Sequence, residues 1–185
     1  MAEFTGEARI GHVGEEGDRD WLDSEEQATW DAFAYLLIRL PATLDARMQR
    51  DTGLSHFEFL VLMTLFRAPE QTLRMSELAD LIASTLSRLS NVVTRLESRG
   101  WVTRHPDPAD GRYTLSTLTE DGARKALDGA PVYTDEVRRS VMEPLTKAQR
   151  RQAGEIARRI LTTIDPTGAC AQGRIPSLPT RPAAS

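Results

Sequence analysis

Cysteine is all but missing from this chain. Cys170 is the single one among 185 residues, which excludes an internal disulfide framework and any cysteine-rich zinc module and fits an intracellular protein. Histidine is scarce too: His12, His56 and His105 lie in separate segments with no paired ligand spacing, so no metal site is expected. No apolar run reaches the length of a membrane span, and the N-terminal MAEFTGEARIGHVGEEGDRDWLD contains no secretory core. The reading is therefore a cytoplasmic protein with no membrane partner. Catalytic signatures are missing as well: the sequence holds no nucleophile-elbow glycine pattern, no P-loop and no HExxH, so no cofactor and no enzyme are expected. A net charge of −4 argues against an indiscriminate polyanion binder and leaves room for a local basic patch.

With 40% hydrophobic and 27% charged residues, the chain can bury one sizeable core, as a single domain with tails. Residues 1–23 are rich in glycine and acids, and read as a flexible acidic arm. Residues 165–185, DPTGACAQGRIPSLPTRPAAS, are punctuated by proline and glycine and read as a disordered tail. The structured part is 24–164. Ser24 with Gln27 suggests a capping box, opening a helix with Trp30, Phe33, Leu36, Leu37 and Leu40. Pro41 is expected to kink or interrupt it before Leu44 and Met48 resume the period. Ser55 is a plausible cap for HFEFLVLMTLFRAP, apolar on more than one face and thus central to the core. A short extended TLR follows, then a helix that Ser76 would cap, with Leu78, Ala79, Leu81 and Ile82 inward.

The stretch LSRLSNVVTRLESRG, from Leu86 to Gly100, carries the functional signal. At about 100° per residue, Leu86, Leu89, Val93 and Leu96 share one arc with Val92 at its edge. Ser87, Arg88, Asn91, Thr94, Arg95 and Ser98 share the opposite one. The only acid, Glu97, sits beside the apolar arc, so the polar face is cationic rather than mixed in sign, which suits a polyanion. Two short helices joined by a tight turn, the second with such a face, describe a helix-turn-helix. Gly100 is placed to end the second helix. Trp101 to Thr103, the turn HPDPADG with its Asp-Gly signal, and RYTLSTL then form a hairpin, which in that position is a wing. Thr119 caps a further helix that Pro131 should break or bend. Thr146 with Gln149 opens a last one, with Ala153, Ile156, Ile160 and Leu161 on its apolar side.

The order of elements from Ser24 to Ile164, and the segments LSHFEFLVLMTL, MSELADLIASTLSRLSNVVTRLESRGWVTR and DPADGRYTLSTLTEDG, resemble the MarR family of winged helix-turn-helix transcription regulators. The last segment resembles the family's wing pattern of Asp-x-Arg, Leu-Thr and a glycine. The resemblance implies a mainly α (α+β) fold. Its N- and C-terminal helices, about 24–50 and 120–164, would form a dimerisation region around a DNA-binding lobe at about 54–119. It also implies a homodimer on a palindromic operator in double-stranded DNA, more often a repressor than an activator. The apolar stripes with Trp30, Phe33 and Leu37 and with Ile156 and Ile160 suit such a dimer.

On that reading Arg88 and Asn91 are the base-reading candidates, since arginine pairs bidentately with guanine and asparagine with adenine. Ser87, Thr94 and Arg95 suit phosphates, and Ser84 or Thr85 caps the helix, whose free amides could meet another. Arg95 and Arg99 could instead form surface ion pairs. Arg112 suits a narrow minor groove; Asp110, as the resemblance implies, would orient it, or would serve as a plain turn residue. Arg104 and His105 are further phosphate candidates at the wing base. The resemblance also implies a small aromatic or phenolic anion as effector, for which Trp30, Tyr35, Arg47, His56 and Phe57 could supply walls and a cation; the alternative is that they are ordinary core or surface residues. A redox-sensing branch of the family uses a cysteine near the first helix, and none occurs here. The competing function is a winged-helix module whose cationic face binds an acidic protein.

Overall fold

Asp23, not Ser24, caps the first helix. In the computed structural model, which describes residues 21–166, Asp23 Oδ1 accepts the amides of Glu25 at 2.8 Å and Glu26 at 2.9 Å, and the Asp23 amide donates to Glu26 Oε2 at 3.0 Å. The expected box is present one residue earlier, because aspartate caps as well as serine and Glu26 completes the reciprocal pair. Helix α1 (Ser24–Thr52) runs through Pro41 without interruption. Proline removes one donor to the carbonyl four residues back, and Leu37, which carries it, is 64% exposed, so water can take the bond.

Among the described residues, those up to 39 and those from 40 onward fall into two compact units. In the first, Trp30, Tyr35, Leu36, Leu37 and Ile38 of α1 are exposed. In the second, Leu44 and Met48 of α1 are buried in the core. Helix α2 (His56–Arg67) is the centre of that core, with Phe59, Val61, Leu62, Met63 and Leu65 buried around its circumference, as its all-round apolar pattern requires. Ser55 caps it as expected, and Glu58 extends the cap into a capping box: Glu58 N donates to Ser55 Oγ at 3.1 Å and Ser55 N to Glu58 Oε2 at 2.9 Å.

After α2 come β1 (Thr72–Arg74), α3 (Met75–Leu81), α4 (Leu86–Ser98), β2 (Val102–Pro106), β3 (Thr114–Leu118), α5 (Glu120–Val137), a π-helical turn (Arg138–Met142) and α6 (Lys147–Ile164). The sheet is antiparallel in the order β1-β3-β2. This is a winged helix, mostly helical with one small sheet, as expected. Ser76 does not cap α3. The strand β1 runs straight into the helix, which has Arg74 before it and no side-chain cap.

Thr85 caps α4 through the Arg88 amide. The helix ends at Gly100, whose φ of +73° lies in the left-handed region that glycine alone adopts freely. Gly100 N donates to Glu97 O and Trp101 N to Leu96 O, a Schellman closure. Leu89, Val92, Val93 and Leu96 are buried, whereas Leu86, expected inward, is 54% exposed. At the first position of α4 the apolar row outruns the core, and Leu86 borders a groove shared with Met75 and Tyr113. The wing loop turns at its Asp-Gly pair, within the segment expected. Tyr113 N donates to Asp110 O and Asp107 N to Tyr113 O, and among the described residues only Gly53 and Gly100 are glycines of positive φ.

Pro131 lies inside α5 without breaking it; the irregular turn comes later, at 138–142. Thr119 caps α5 and Thr146 with Gln149 boxes α6, both as expected. No residue of α6 is buried, and Ile156, Ile160 and Ile164 stand exposed along it. Among the described residues no helix is long and apolar enough to cross a membrane. The expectations for residues 1–20 and 167–185, including His12 and Cys170, lie outside the described residues.

Candidate nucleic-acid interface

The capped start of α4 and its buried stripe fix which way its other side points. Ser87, Arg88, Asn91, Thr94, Arg95 and Ser98 are all exposed, with no acid among them. Thr94 Oγ1 donates to Ser90 O at 2.9 Å and Ser98 Oγ to Arg95 O at 2.8 Å, so each hydroxyl must turn away from that carbonyl before it can donate to a phosphate oxygen, which only accepts. Ser84, half-buried, donates to Thr85 O at 3.3 Å.

The arginines of this face lean toward α2. The Arg88 guanidinium lies 4.3 Å from the ring centroid of Phe57, a cation–π contact that narrows its rotamers. Arg95 Nε donates to Glu58 Oε1 at 3.4 Å, and Arg99 Nη1 lies 3.9 Å from Glu58 Oε2. The surface ion pairs weighed for Arg95 and Arg99 are thus present, though the two side chains stay 55% and 43% exposed. Glu58 itself is buried. Neither its place in the capping box, which the Ser-x-x-Glu spacing signals, nor its second role of holding two arginines of another helix, which no local pattern signals, was singled out from the sequence.

At the wing tip Arg112 is 86% exposed and gripped side-on by Asp110, with Nη2 to Oδ2 at 2.7 Å and Nε to Oδ1 at 3.0 Å. The Arg112 amide also donates to Asp110 Oδ1 at 3.2 Å. These bonds hold the Asp110 carboxyl below its usual range and raise the guanidinium above its own, so the pair stays charged and aligned at neutral pH. The turn residue and the orienting residue expected of Asp110 are one arrangement.

Arg104 has another task. Its Nη2 and Nε donate to Glu97 Oε2 at 2.6 and 3.0 Å and its amide to Glu97 Oε1 at 3.1 Å. The carboxylate, held below its usual range chiefly by that side-chain bond, ties α4 to β2. His105 is satisfied locally by Thr117 Oγ1 and Pro106 O. A residue the sequence did not single out, Arg74 on β1, binds Asp107 of the wing loop across 33 positions of chain; no local pattern signals such a pair.

The residues weighed for an effector do not all converge. Phe57 lines an open cleft of about 380 Å³ with Arg88, Asn91, Arg95, Asp45 and Gln49. His56 stacks on Tyr133 at 5.5 Å between centroids and donates its amide to Asp45 Oδ1 at 2.8 Å. Burial lowers its pKa against the pull of Asp45, so the ring is neutral at pH 7, and its Nε2 is buried without a partner. Arg47 is taken by Asp51, whose Oδ2 is 2.6 Å from Nε but out of hydrogen-bond alignment, and by Asp135 at 3.6 Å. Trp30 and Tyr35, 54% and 71% exposed, belong to the other compact unit. Among the described residues no three His, Cys, Asp or Glu side chains come together as a metal would require.

A family model described as the MarR family matches residues 54–114, from the start of α2 to the start of β3. Among solved structures, Sco3205, a MarR family transcriptional regulator from Streptomyces coelicolor in complex with DNA, matches with a TM-score of 0.75 and 38% identity over 80% of this chain and 96% of that one. The chain belongs to the MarR family. Another member, AbsC from Streptomyces coelicolor, matches with a TM-score of 0.73 and 26% identity over 80% of this chain and 99% of its own. The transcriptional repressor MprA of Escherichia coli K12 is 24% identical over 119 residues, 64% of this chain and 67% of MprA. Membership of the MarR family makes this chain a transcriptional regulator, not an enzyme.

Proposed function

We propose that this MarR family chain is a homodimeric repressor that reads a palindromic operator in double-stranded DNA in the cytoplasm. The observation that carries the reading is the acid-free, exposed face of α4 beside a wing tip on which Asp110 presents Arg112. A relative of 38% identity solved with DNA supports it, and the name of MprA supports repression. In this reading α4 enters the major groove. Arg88 and Asn91 meet base edges; Ser84, Thr85, Ser87, Thr94 and Arg95 meet phosphates; Arg112 enters the minor groove. Arg104, committed to Glu97, keeps only a secondary share in phosphate binding. The DNA-binding lobe is 54–119, and the helices at 24–50 and 120–164 make the dimer through the exposed apolar residues of α1 and α6. A small aromatic anion in the cleft beside Phe57 would compete with DNA for Arg88 and Arg95 and so release the operator.

Selection of random-sequence duplexes with the purified protein, at near-physiological salt, tests this. A palindrome with half-sites about one helical turn apart supports a dimeric reader; no enrichment removes the reading in favour of an acidic protein partner. On the selected operator, Arg88→Ala is expected to cost about 1–3 kcal/mol and to relax preference at one position per half-site. An unchanged sequence profile removes Arg88 from the base readers. Arg112→Ala is expected to weaken binding most on duplexes with narrow flanking minor grooves, measured by titrating A-tract against mixed flanks. Equal loss on both makes it a phosphate contact.

A further inference from the structure

Arg74 is the residue immediately before α3, the first helix of the helix-turn-helix, and its side chain reaches into the wing. Nε donates to Asp107 Oδ2 at 2.8 Å and Nη2 lies 2.7 Å from the same oxygen as an ion pair, and the guanidinium carbon lies 4.4 Å from the centroid of the Tyr113 ring. Asp107 and Tyr113 are the two ends of the wing loop, closed on each other by the Asp107 amide donating to Tyr113 O at 2.9 Å. Asp107 is 8% exposed, and its second oxygen takes the Ala109 amide at 2.8 Å, so both carboxylate oxygens are spoken for. Arg74 itself is 42% exposed, and the fold does not need it to fill the core. A surface arginine therefore joins the helix-turn-helix to the base of the loop that displays Arg112.

We infer that Arg74 is a positioning residue for DNA recognition: by clamping Asp107 and stacking on Tyr113 it fixes the wing against α3, and so sets the distance along the duplex between the bases α4 reads and the flank Arg112 reads. A hairpin held only by its strands bends easily at its loop. One held at both loop ends by a charged fork and a ring contact keeps its angle. The α4 face is untouched by this clamp, so losing it blurs the flank without changing the core preference. The inference rests on the DNA reading above.

The test uses the full chain on the selected operator, with a narrow-groove A-tract flank at its selected offset or shifted by one or two base pairs. Wild type is expected to lose about tenfold in affinity when the flank is shifted, the size of one mismatched position. Arg74→Ala is expected to bind all offsets within about twofold of one another while keeping the wild-type profile across the half-site core. Arg74→Lys, which keeps the charge without the fork, should fall near Arg74→Ala. Asp107→Asn should behave likewise; urea unfolding of each variant separates this from a loss of stability. An Arg74→Ala protein that keeps the wild-type dependence on flank offset overturns this inference alone. A wild type that enriches no sequence overturns the DNA reading and this inference with it.

Discussion

A chain carrying Ile160→Asp is expected to remain folded, to sediment as a monomer, and to bind the selected operator about 10²–10⁴-fold more weakly than wild type. No residue of α6 is buried, and Ile160 is 43% exposed, so its replacement removes no side chain of the core. In a dimer covered through that stripe the carboxylate would enter an apolar seam, where an unpaired charge is costly enough to prevent association. Operator affinity follows, because two half-sites held in one molecule make the second contact intramolecular. Sedimentation gives the oligomeric state, circular dichroism the fold, and titration of labelled operator the affinity. A variant that stays dimeric with unchanged operator affinity places the interface away from α6.

Much of this architecture was legible because the signals are local. A hydroxyl three residues ahead of the amide it caps, a glycine at the end of an amphipathic stripe, and a turn between two β-rich runs each act over a few residues. Ser55, Thr85, Thr119, Thr146 and Gly100 all sit where such signals placed them. Where two local signals competed, the stronger won: Asp23 with Glu26 displaced Ser24 with Gln27. Neither Pro41 nor Pro131 interrupts its helix, because a long helix tolerates a single lost donor. What the sequence could not reveal were the side-chain pairs across elements. The partner of Arg104 is Glu97 on α4, that of Arg95 is Glu58 on α2, and that of Arg74 is Asp107 in the wing. Each links segments brought together only by the folded chain. The cationic face was therefore visible as composition, while the division of its arginines into presented, stacked and clamping ones was not.

Gly122→Ala is expected to destabilise the protein by about 3 kcal/mol, against the ordinary trend in which alanine for glycine strengthens a helix by about 1 kcal/mol. The sign reverses because of what lies over Gly122. A Cβ there would be 2.1 Å from Trp101 O and 2.8 Å from Leu118 Cδ1. The leucine can turn away, but the carbonyl cannot: it accepts the Thr119 amide at 3.1 Å, while Thr119 Oγ1 donates to Gly100 O at 2.7 Å and caps α5. Relief requires the first turn of α5 to move off the entry to β2, breaking the cap and these bonds together. Urea unfolding should show a lower midpoint with an unchanged slope. The same junction ties the foot of the wing to α5, so operator affinity should fall further than the unfolded fraction accounts for. A Gly122→Ala chain as stable as wild type would mean that the α5 start can slide on the wing foot, and that this close contact fixes neither.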